Sequence, residues 1–312
     1  MKDRQADLLP IEYYHVVFTL PAPISEIGYY NKAVIYRLLF AAASEALLGI
    51  AADPKRLGAK IGATLVLHTW GSTMTHHPHV HGIVTGGGLS LDGQRWVSCR
   101  RGFFLPGEVL SHRFRTLFLR GLAEAHRNGE LQFFSEHVDL ADADVFADWL
   151  HVQRECDWYF YIKEPFAGPE AVLAYLSRYT HRVAISNSRL ISMDERGVSF
   201  TWKDYRAEGR TRIKKMTLDA GEFIRRFLLH VLPAGLHRIR HYGLLANPHR
   251  REQIAKAREK LSAPQPVQEV KDEGVGTHTV FVCPHCGAPM IVIETLIPEH
   301  RSRAPPLLGH DA

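Results

Sequence analysis

The stretch HHPHVHGIVTGGG, residues 76–88, holds four histidines within six positions and ends in three glycines. Two of them, His79 and His81, are two residues apart in a predicted strand over residues 79–84. Side chains two apart in a strand leave the same face of a sheet, so both imidazoles can converge on one metal ion while Val80 points into a core. The spacing predicts a metal site, and the alternative is an exposed polar face.

A metal site needs a further ligand, and His68 on the preceding predicted strand, residues 61–70, is the candidate if the two strands are antiparallel neighbours. The intervening loop offers His76 and His77 as well, and Ser72 could add a weak oxygen contact. Imidazoles with open coordination positions suit a divalent ion such as Mn, Mg, Co or Zn, and the sequence does not choose among them.

A second group of reactive side chains lies in AVLAYLSRYTHRVAISN, residues 171–187. Helical positions three, four and seven apart share a face, so one stripe carries Tyr175, Arg178, Tyr179 and Arg182. Tyrosine is a poor nucleophile unless its phenolate is stabilised, whereas arginines hold phosphate by bidentate bonds. This face suits attack on a phosphate beside a metal, and the alternative is a solvated helix surface.

The order of predicted elements indicates the fold that positions these groups. Strands are predicted at residues 13–20, 61–70, 79–84, 94–100, 157–163, 189–193, 197–203 and 210–217, and helices at 25–52, 107–128, 141–152, 169–184 and 219–231. Ser25 is predicted as a helix N-cap and Gly86–Gly88 as a turn. Strands in adjacent runs between helices favour an α+β fold with a mainly antiparallel central sheet flanked by helices.

Composition bounds the class of protein. The chain has 312 residues and a formal charge of +5 at pH 7, which is compatible with an anionic partner without requiring one. Its four cysteines argue against a disulfide framework and for a reducing compartment. We find no apolar run approaching the roughly 20 residues of a membrane span and no signal-peptide core, so we expect a cytoplasmic protein without a membrane partner.

Basic and aromatic residues alternate in FTWKDYRAEGRTRIKKM, residues 200–216, and a basic, partly helical run follows at residues 236–260. Aromatic rings can stack on exposed bases while cations follow phosphates, a pattern suited to single strands. We therefore predict that Trp202 and Tyr205 stack on bases and that Lys203 contacts the phosphate backbone of a single-stranded nucleic acid. The alternative is an ordinary solvated sheet edge.

The C-terminal part contains CPHCG, residues 283–287, after a Pro-, Gly- and charge-rich linker at 262–276. Cys283 and Cys286 resemble one zinc knuckle, but a structural zinc needs four ligands and a second Cys-x-x-Cys does not occur in the sequence. A zinc site here would need nearby histidines as further ligands. The alternatives are a degraded half-site and a plain hairpin turn.

Two long segments in this order, LHTWGSTMTHHPHVHGIVTGGGLSLDG and YIKEPFAGPEAVLAYLSRYTHRVAISN, resemble the rolling-circle transposases of two-tyrosine insertion sequences. These belong to the HUH endonuclease class, named for a histidine–hydrophobic–histidine motif. The resemblance spans roughly residues 8–250. It implies that His79 and His81 bind the metal, with Mg or Mn as the expected ion, and that Tyr175 and Tyr179 are paired nucleophiles.

The reaction implied by the resemblance is transesterification on single-stranded DNA at transposon ends. A tyrosine hydroxyl attacks a phosphodiester and leaves a 5′-phosphotyrosine link and a free 3′-OH, which can later rejoin strands. The corresponding organisation is a catalytic domain of HUH type at residues 1–250, a basic helix and linker at 251–276, a zinc-knuckle segment at 277–297 and a disordered tail at 298–312.

One departure from the family pattern leaves the function open at this point. Family members usually carry an N-terminal cysteine-rich zinc segment, whereas only about eight residues precede the LLP…YHVVFTLP strand here. We therefore also consider a non-catalytic or truncated DNA-binding remnant. The same residues are compatible with a replication initiator or relaxase that uses this chemistry, and with a metal-dependent hydrolase.

Overall fold

The computed structural model describes residues 8–163, 171–172, 184–204 and 212–263. The strands in this part of the chain are β1 (Tyr13–Thr19), β2 (Ala59–Trp70), β3 (His76–Ser90), β4 (Trp96–Ser98), β5 (Phe160–Lys163), β6 (Leu190–Asp194), β7 (Gly197–Lys203), β8 (Ile213–Leu218) and β9 (Ile239–Gly243). The helices are α1 (Ala22–Gly28), α2 (Lys32–Ala52), α3 (Gly107–Arg127), α4 (Ala143–Glu155), α5 (Ala220–Leu228) and α6 (Arg250–Lys260).

Six strands form the central sheet in the order β5-β1-β3-β2-β9, with β4 paired to the far end of β3. All of these pairings are antiparallel. Strands β6, β7 and β8 form a second antiparallel sheet. The predicted α+β fold with a central antiparallel sheet flanked by helices is confirmed.

The main hydrophobic core covers one face of the central sheet. Side chains alternate across a strand, so Val16 and Phe18 of β1 and Val80 of β3 are buried on this face. Helices α2 and α3 add Leu39 and Phe114 to the same core, and the rings of Phe18 and Phe114 lie 4.7 Å apart. The odd-numbered residues of β1 and β3 are thereby directed to the opposite face.

Helix α2 is long and apolar enough, by length and composition, to cross a membrane. More than half of its most apolar window is nevertheless buried inside the protein. Tyr36, Leu39 and Leu47 belong to the main core, and this burial accounts for the apolar sequence of the helix.

The predicted helix over residues 25–52 is in fact two helices, α1 and α2. Ser25 lies inside α1 and donates its hydroxyl to a carbonyl one turn earlier, so its prediction as an N-cap is wrong. Asn31 stabilises the break because its amide nitrogen donates to the carbonyls of Ile27 and Gln132, and its oxygen accepts from the Gln132 backbone N–H.

The turn predicted at Gly86–Gly88 is also wrong, because these residues lie inside β3. A Cβ on Gly88 would stand 2.1 Å from the Lys60 carbonyl oxygen, and one on Gly86 would stand 2.7 Å from that of Glu12. The glycines therefore permit close approach of neighbouring backbones rather than a reversal of the chain.

The basic run at residues 236–260 contains strand β9 as well as helix α6, and the sequence did not predict the strand. Five residues with mixed basic and aromatic side chains have no clear alternation. Pairing with β2, in the register Ile239↔Val66 and His241↔Thr64, makes this segment an edge strand. Tertiary pairing therefore decided the conformation of a segment with weak local preference.

Candidate metal centre

Three histidines meet on the face of the central sheet opposite the main core. His68 of β2 pairs directly with His79 of β3, and His81 follows two residues along β3 opposite Val66. One nitrogen from each of the three imidazoles can be chosen so that all lie within 4.8 Å of one another. The predicted trio is therefore brought together in a group that could hold a divalent ion.

Hydrogen bonds orient two of these rings. Nδ1 of His79 donates to the carbonyl oxygen of His77 at 2.7 Å, which leaves Nε2 of His79 with its lone pair. Nδ1 of His81 lies 2.9 Å from Nε2 of His15, on the adjacent strand β1. Metal-bound histidines commonly have their second ring nitrogen held in this way, since the contact fixes both tautomer and orientation.

Burial lowers the pKa of two histidines of the cluster, His79 and His81. Loss of solvation lowers the pKa of His79 to about 4, and the neighbouring rings of His77 and His15 add to this effect. Burial, together with the rings of His79, His68 and His15, holds the pKa of His81 well below its usual range. A neutral imidazole is the form that binds metal, so His79 and His81 need lose no proton to bind an ion at neutral pH.

His68 is held by an aromatic stack. Its ring lies nearly parallel to that of Trp70, with 4.7 Å between the centroids. The Arg238 guanidinium covers the Trp70 ring at 4.9 Å, and its Nε donates to the Leu67 carbonyl. The stack limits rotation of the His68 ring, as a preorganised ligand requires.

The three histidines open into a cleft of about 450 Å³ between the central and second sheets. Its other wall includes Arg189, Trp202 and Lys203. Arg189 is fixed because its guanidinium donates to the carbonyls of Thr201 and Ser72. A cleft with neutral metal ligands on one side and cations on the other suits a phosphate group.

Two predicted DNA-binding residues, Trp202 and Lys203, thus lie in the same cleft as the histidines. Tyr175, Arg178, Tyr179, Arg182, Tyr205, Cys283 and Cys286 lie outside the described residues. The sequence interpretation missed His15, Arg189 and Trp70 as parts of the site. The period-2 pattern of β1 could have placed His15 on the polar face, but the pairing of β1 with β3 could not be read from it.

The described ends of the tyrosine-bearing segment lie on the histidine face of the sheet. Val172 is fully buried against Tyr13 of β1 and Ile83 of β3. Tyr13 is two residues from His15 in β1, and Ile83 is two residues from His81 in β3. Each therefore lies on the same face of the sheet as its histidine. Ala184, at the other end, is buried with Met74 and Phe200 in a cluster that Trp70 joins.

Comparisons with known proteins identify the family of the chain. A family model described as “Putative transposase” (Y2_Tnp) matches residues 62–253. The chain is 50% identical over 304 residues to “Putative transposase y4qJ” of Sinorhizobium fredii (strain NBRC 101917 / NGR234), covering 94% of this chain and 76% of that protein. It is 27% identical over 289 residues to “Transposase for insertion sequence element IS801” of Pseudomonas savastanoi pv. phaseolicola, covering 89% of this chain and 67% of that protein.

The chain therefore belongs to the family of two-tyrosine insertion-sequence transposases. Membership implies binding to DNA at the ends of an insertion sequence, with cleavage and transfer of its strands. The histidine cluster and the cationic cleft lie largely within the matched residues, so the matched part of the chain carries the candidate site.

Proposed function

We propose that this transposase cuts and rejoins single-stranded DNA through a 5′-phosphotyrosine intermediate in rolling-circle transposition, with the catalytic domain of HUH type. Tyr175 and Tyr179 are the nucleophiles, and His68, His79 and His81 hold the divalent ion. The observation that carries the proposal is the cluster of three imidazoles facing cations across an open cleft.

The placement of Val172 supports the role of the tyrosines. Val172 is buried on the histidine face and precedes Tyr175 by three residues. Three residues of chain span at most about 10 Å, so Tyr175 starts from an anchor on the correct side of the sheet. Ala184 anchors the chain beyond Arg182 near the same cleft.

The proposed cleavage step conserves bond energy. The hydroxyl of Tyr175 or Tyr179 attacks phosphorus, its O–P bond forms, and the bond from phosphorus to the 3′ oxygen breaks. The phenolic proton leaves and a proton is delivered to the departing oxygen, which becomes a 3′-OH. The reverse attack by a 3′-OH on the phosphotyrosine rejoins strands, and a second tyrosine allows one strand to be held while another is cut.

The residues present fit a divalent ion, because three imidazole nitrogens lie together at an open cleft and two of the rings are held by hydrogen bonds. When bound, the ion would polarise the phosphate and stabilise charge that develops during attack. Of the two expected ions, Mn suits imidazole ligands better than Mg, which prefers oxygen. Arg189 and Lys203 would neutralise and position the phosphate.

The test incubates the protein with end-labelled single-stranded DNA and Mn²⁺, then looks for a protein–DNA adduct on a denaturing gel. Wild type should give the adduct, and the double variant Tyr175→Phe, Tyr179→Phe should not. Tyr161→Phe, at an exposed tyrosine of β5, is the matched control and should behave as wild type. A persistent adduct in the double variant would place the nucleophile elsewhere.

Two other outcomes have defined meanings. Binding of DNA without an adduct in wild type would favour the non-catalytic remnant, and cleavage without an adduct would favour a hydrolase that uses water. Chelation of the ion should abolish the adduct while DNA binding through the basic residues persists. The His68→Ala variant should reproduce the effect of chelation, whereas His112→Ala, at an exposed histidine of α3, should not.

A further inference from the structure

A second cleft, of about 620 Å³, borders the metal centre and has no part in the reaction proposed above. Helix α1, the start of β3 and the loop at residues 134–137 line it. His77 connects the two sites: its side chain lines the second cleft, while its carbonyl accepts the hydrogen bond from His79. The rings of His77 and His79 lie 5.4 Å apart.

Three exposed aromatic residues, Tyr29, Tyr30 and Phe134, form an aromatic platform at this cleft. The Tyr29 and Tyr30 rings lie 4.7 Å apart in an edge-to-face arrangement, and those of Tyr30 and Phe134 lie 4.8 Å apart and tilted by 48°, so a base would stack on one ring and contact the edge of another. Tyr30 is 48% exposed and Phe134 is 45% exposed. A contiguous group of exposed aromatic rings is uncommon on a protein surface and marks a place where another molecule binds.

The platform is held in place before any ligand arrives. Asn31 and Gln132 exchange two hydrogen bonds of 2.8 Å, and these fix the loop before Phe134 against the chain beside Tyr30. Arg37 and Glu130 form an ion pair across the same two segments. Because the rings are already placed, a ligand that stacks on them loses little affinity to ordering of the protein.

The polar groups of the cleft define the ligand further. Glu26 and Glu136 line it, and both carboxylates lie 3.8 Å from Nε2 of His137. Ionised carboxylates only accept hydrogen bonds, so they match a flat ring that presents N–H donors at its edge. Lys32 lies 5.5 Å from the centre of the Tyr29 ring and Arg225 lines the cleft, which places cations beside the platform.

We propose that the platform cleft binds one unpaired nucleobase of the DNA strand, and that it prefers guanine to thymine. The base stacks on the exposed rings, its amino and imino hydrogens face Glu26 and Glu136, and Lys32 and Arg225 contact the adjoining phosphates. Guanine donates two parallel N–H bonds, which a carboxylate accepts together, whereas thymine offers a single N–H. This inference rests on single-stranded DNA being the substrate of the metal centre.

The spacing of the two sites fits one continuous strand. His77 and His79 are two residues apart in β3, which corresponds to about 7 Å. Because His77 lines the platform cleft and its carbonyl holds His79, one strand would contact both sites over a short stretch of nucleotides. The platform would therefore select which phosphate is presented to the ion and the tyrosines.

The test measures binding without cleavage. Fluorescein-labelled oligothymidylates of about 12 nucleotides, within the usual site size for single-strand binding, carry one guanine at each position in turn. They are titrated in chelator-containing buffer, and anisotropy gives the affinity. We expect one guanine position to bind wild type several-fold more tightly than all-thymine DNA. Tyr30→Ala, Phe134→Ala should weaken the best probe by about 10-fold, because both rings available for base stacking are lost.

A matched control variant and a second variant of the cleft test whether the loss of affinity is specific to the platform. Phe103 and Tyr159 are comparably exposed aromatic residues away from both clefts, and the variant Phe103→Ala, Tyr159→Ala should retain wild-type affinity. Glu26→Gln, at an exposed side chain, should fold normally and reduce the guanine preference. Thermal unfolding of each variant verifies folding.

Equal affinity of wild type for all probes, or equal losses in the platform and control variants, would overturn the inference. Adduct formation separates this failure from that of the proposed function. If the adduct forms while the platform variants bind as wild type, the platform assignment is wrong and the tyrosine chemistry stands. If guanine preference is observed without an adduct, the platform stands and the chemistry fails.

Discussion

Nε2 of His15 lies 2.9 Å from Nδ1 of His81, and the two rings are stacked with centroids 5.1 Å apart and planes 5° apart. Burial, with a smaller effect from Lys163, lowers the pKa of His15 to about 4, so both rings are neutral at pH 7. Strand β1 thus supplies a partner that can accept the Nδ1 proton of His81 and turn its Nε2 toward the metal.

Replacement of this partner should weaken metal binding without disturbing the fold. His15→Phe keeps a ring of similar size in the buried position but removes the acceptor, and we expect Mn²⁺ affinity to fall by about 10–100-fold. His15→Gln restores an acceptor and should recover part of the loss. Calorimetric titration measures the affinities, and unchanged affinity in the Phe variant would exclude this role for His15.

Lys203 in the metal cleft should contribute to the salt dependence of DNA binding. It is exposed and lies across the cleft from the histidines, where it can reach a phosphate. Lys203→Ala should reduce the slope of log affinity against log salt concentration by about 0.7 for single-stranded DNA. Lys55→Ala, at an exposed lysine after α2, serves as the control. A slope equal to that of wild type in Lys203→Ala would remove Lys203 from the interface.

Two glycine substitutions should act in opposite directions. A Cβ at Gly88 would overlap the Lys60 backbone carbonyl, which belongs to the paired strand and cannot move aside, so Gly88→Ala should cost about 3 kcal/mol or more of stability. Gly49 lies exposed in α2, and no atom lies within 4 Å of the place that an added methyl group would take. Gly49→Ala should therefore stabilise the protein by about 0.5–1 kcal/mol. Chemical denaturation of both variants provides the measurement.

Acid should destabilise the protein, and the protonation of His76 should contribute one part of this loss of stability that a single substitution can measure. Burial lowers its pKa to about 4, with Ser25 opposing and His230, Lys32 and His77 adding to the shift, and its ring contacts the Tyr36 hydroxyl. Between pH 6.5 and 4 the unfolded chain binds a proton that the folded protein does not. The contribution of His76 to the free energy of unfolding is therefore fully present above the pKa of the unfolded state, and it is lost as the pH drops through this window.

The size of this effect follows from the shift. One histidine displaced by this amount contributes up to about 3 kcal/mol, lost progressively toward the folded pKa. His76→Gln should reduce the difference in unfolding free energy between about pH 7 and about pH 4.5 relative to wild type. Denaturant titrations at the two pH values measure it. An identical pH difference in both proteins would show that His76 does not carry the linkage.

Local patterns predicted those features that depend on one segment of chain. The period of two in the strand predicted that His79 and His81 share one face. The assumption that the two strands are antiparallel neighbours correctly predicted that His68 lies beside them. The contribution of β1 could not be predicted, because nothing near His15 encodes its pairing with His81. The glycines of β3 were misinterpreted for a related reason. Glycine is required at Gly86 and Gly88 because the backbones of Glu12 and Lys60, which are distant in sequence, approach closely there.

The aromatic platform illustrates the same limit. Tyr30 and Phe134 are far apart in sequence, and long-range contacts such as the hydrogen bonds of Asn31 with the backbone of Gln132 bring them together. Trp202 and Lys203 were predicted as DNA contacts from the alternation of aromatic and basic residues, and their position opposite the histidines depends on the second sheet lying over the first at this point. Residue types thus indicated the chemistry, while long-range contacts determined which residues share a site.

The division of the histidines between β2 and β3 has a consequence for assembly of the protein. A slip of one residue between these strands would turn His79 and His81 into the apolar layer and bring Val80 to the surface. If the cluster holds an ion as proposed, only molecules with the native strand alignment would bind it, and bound ion would in turn favour that alignment by mass action. The amount of tightly bound metal per chain would then serve as a count of correctly folded transposase.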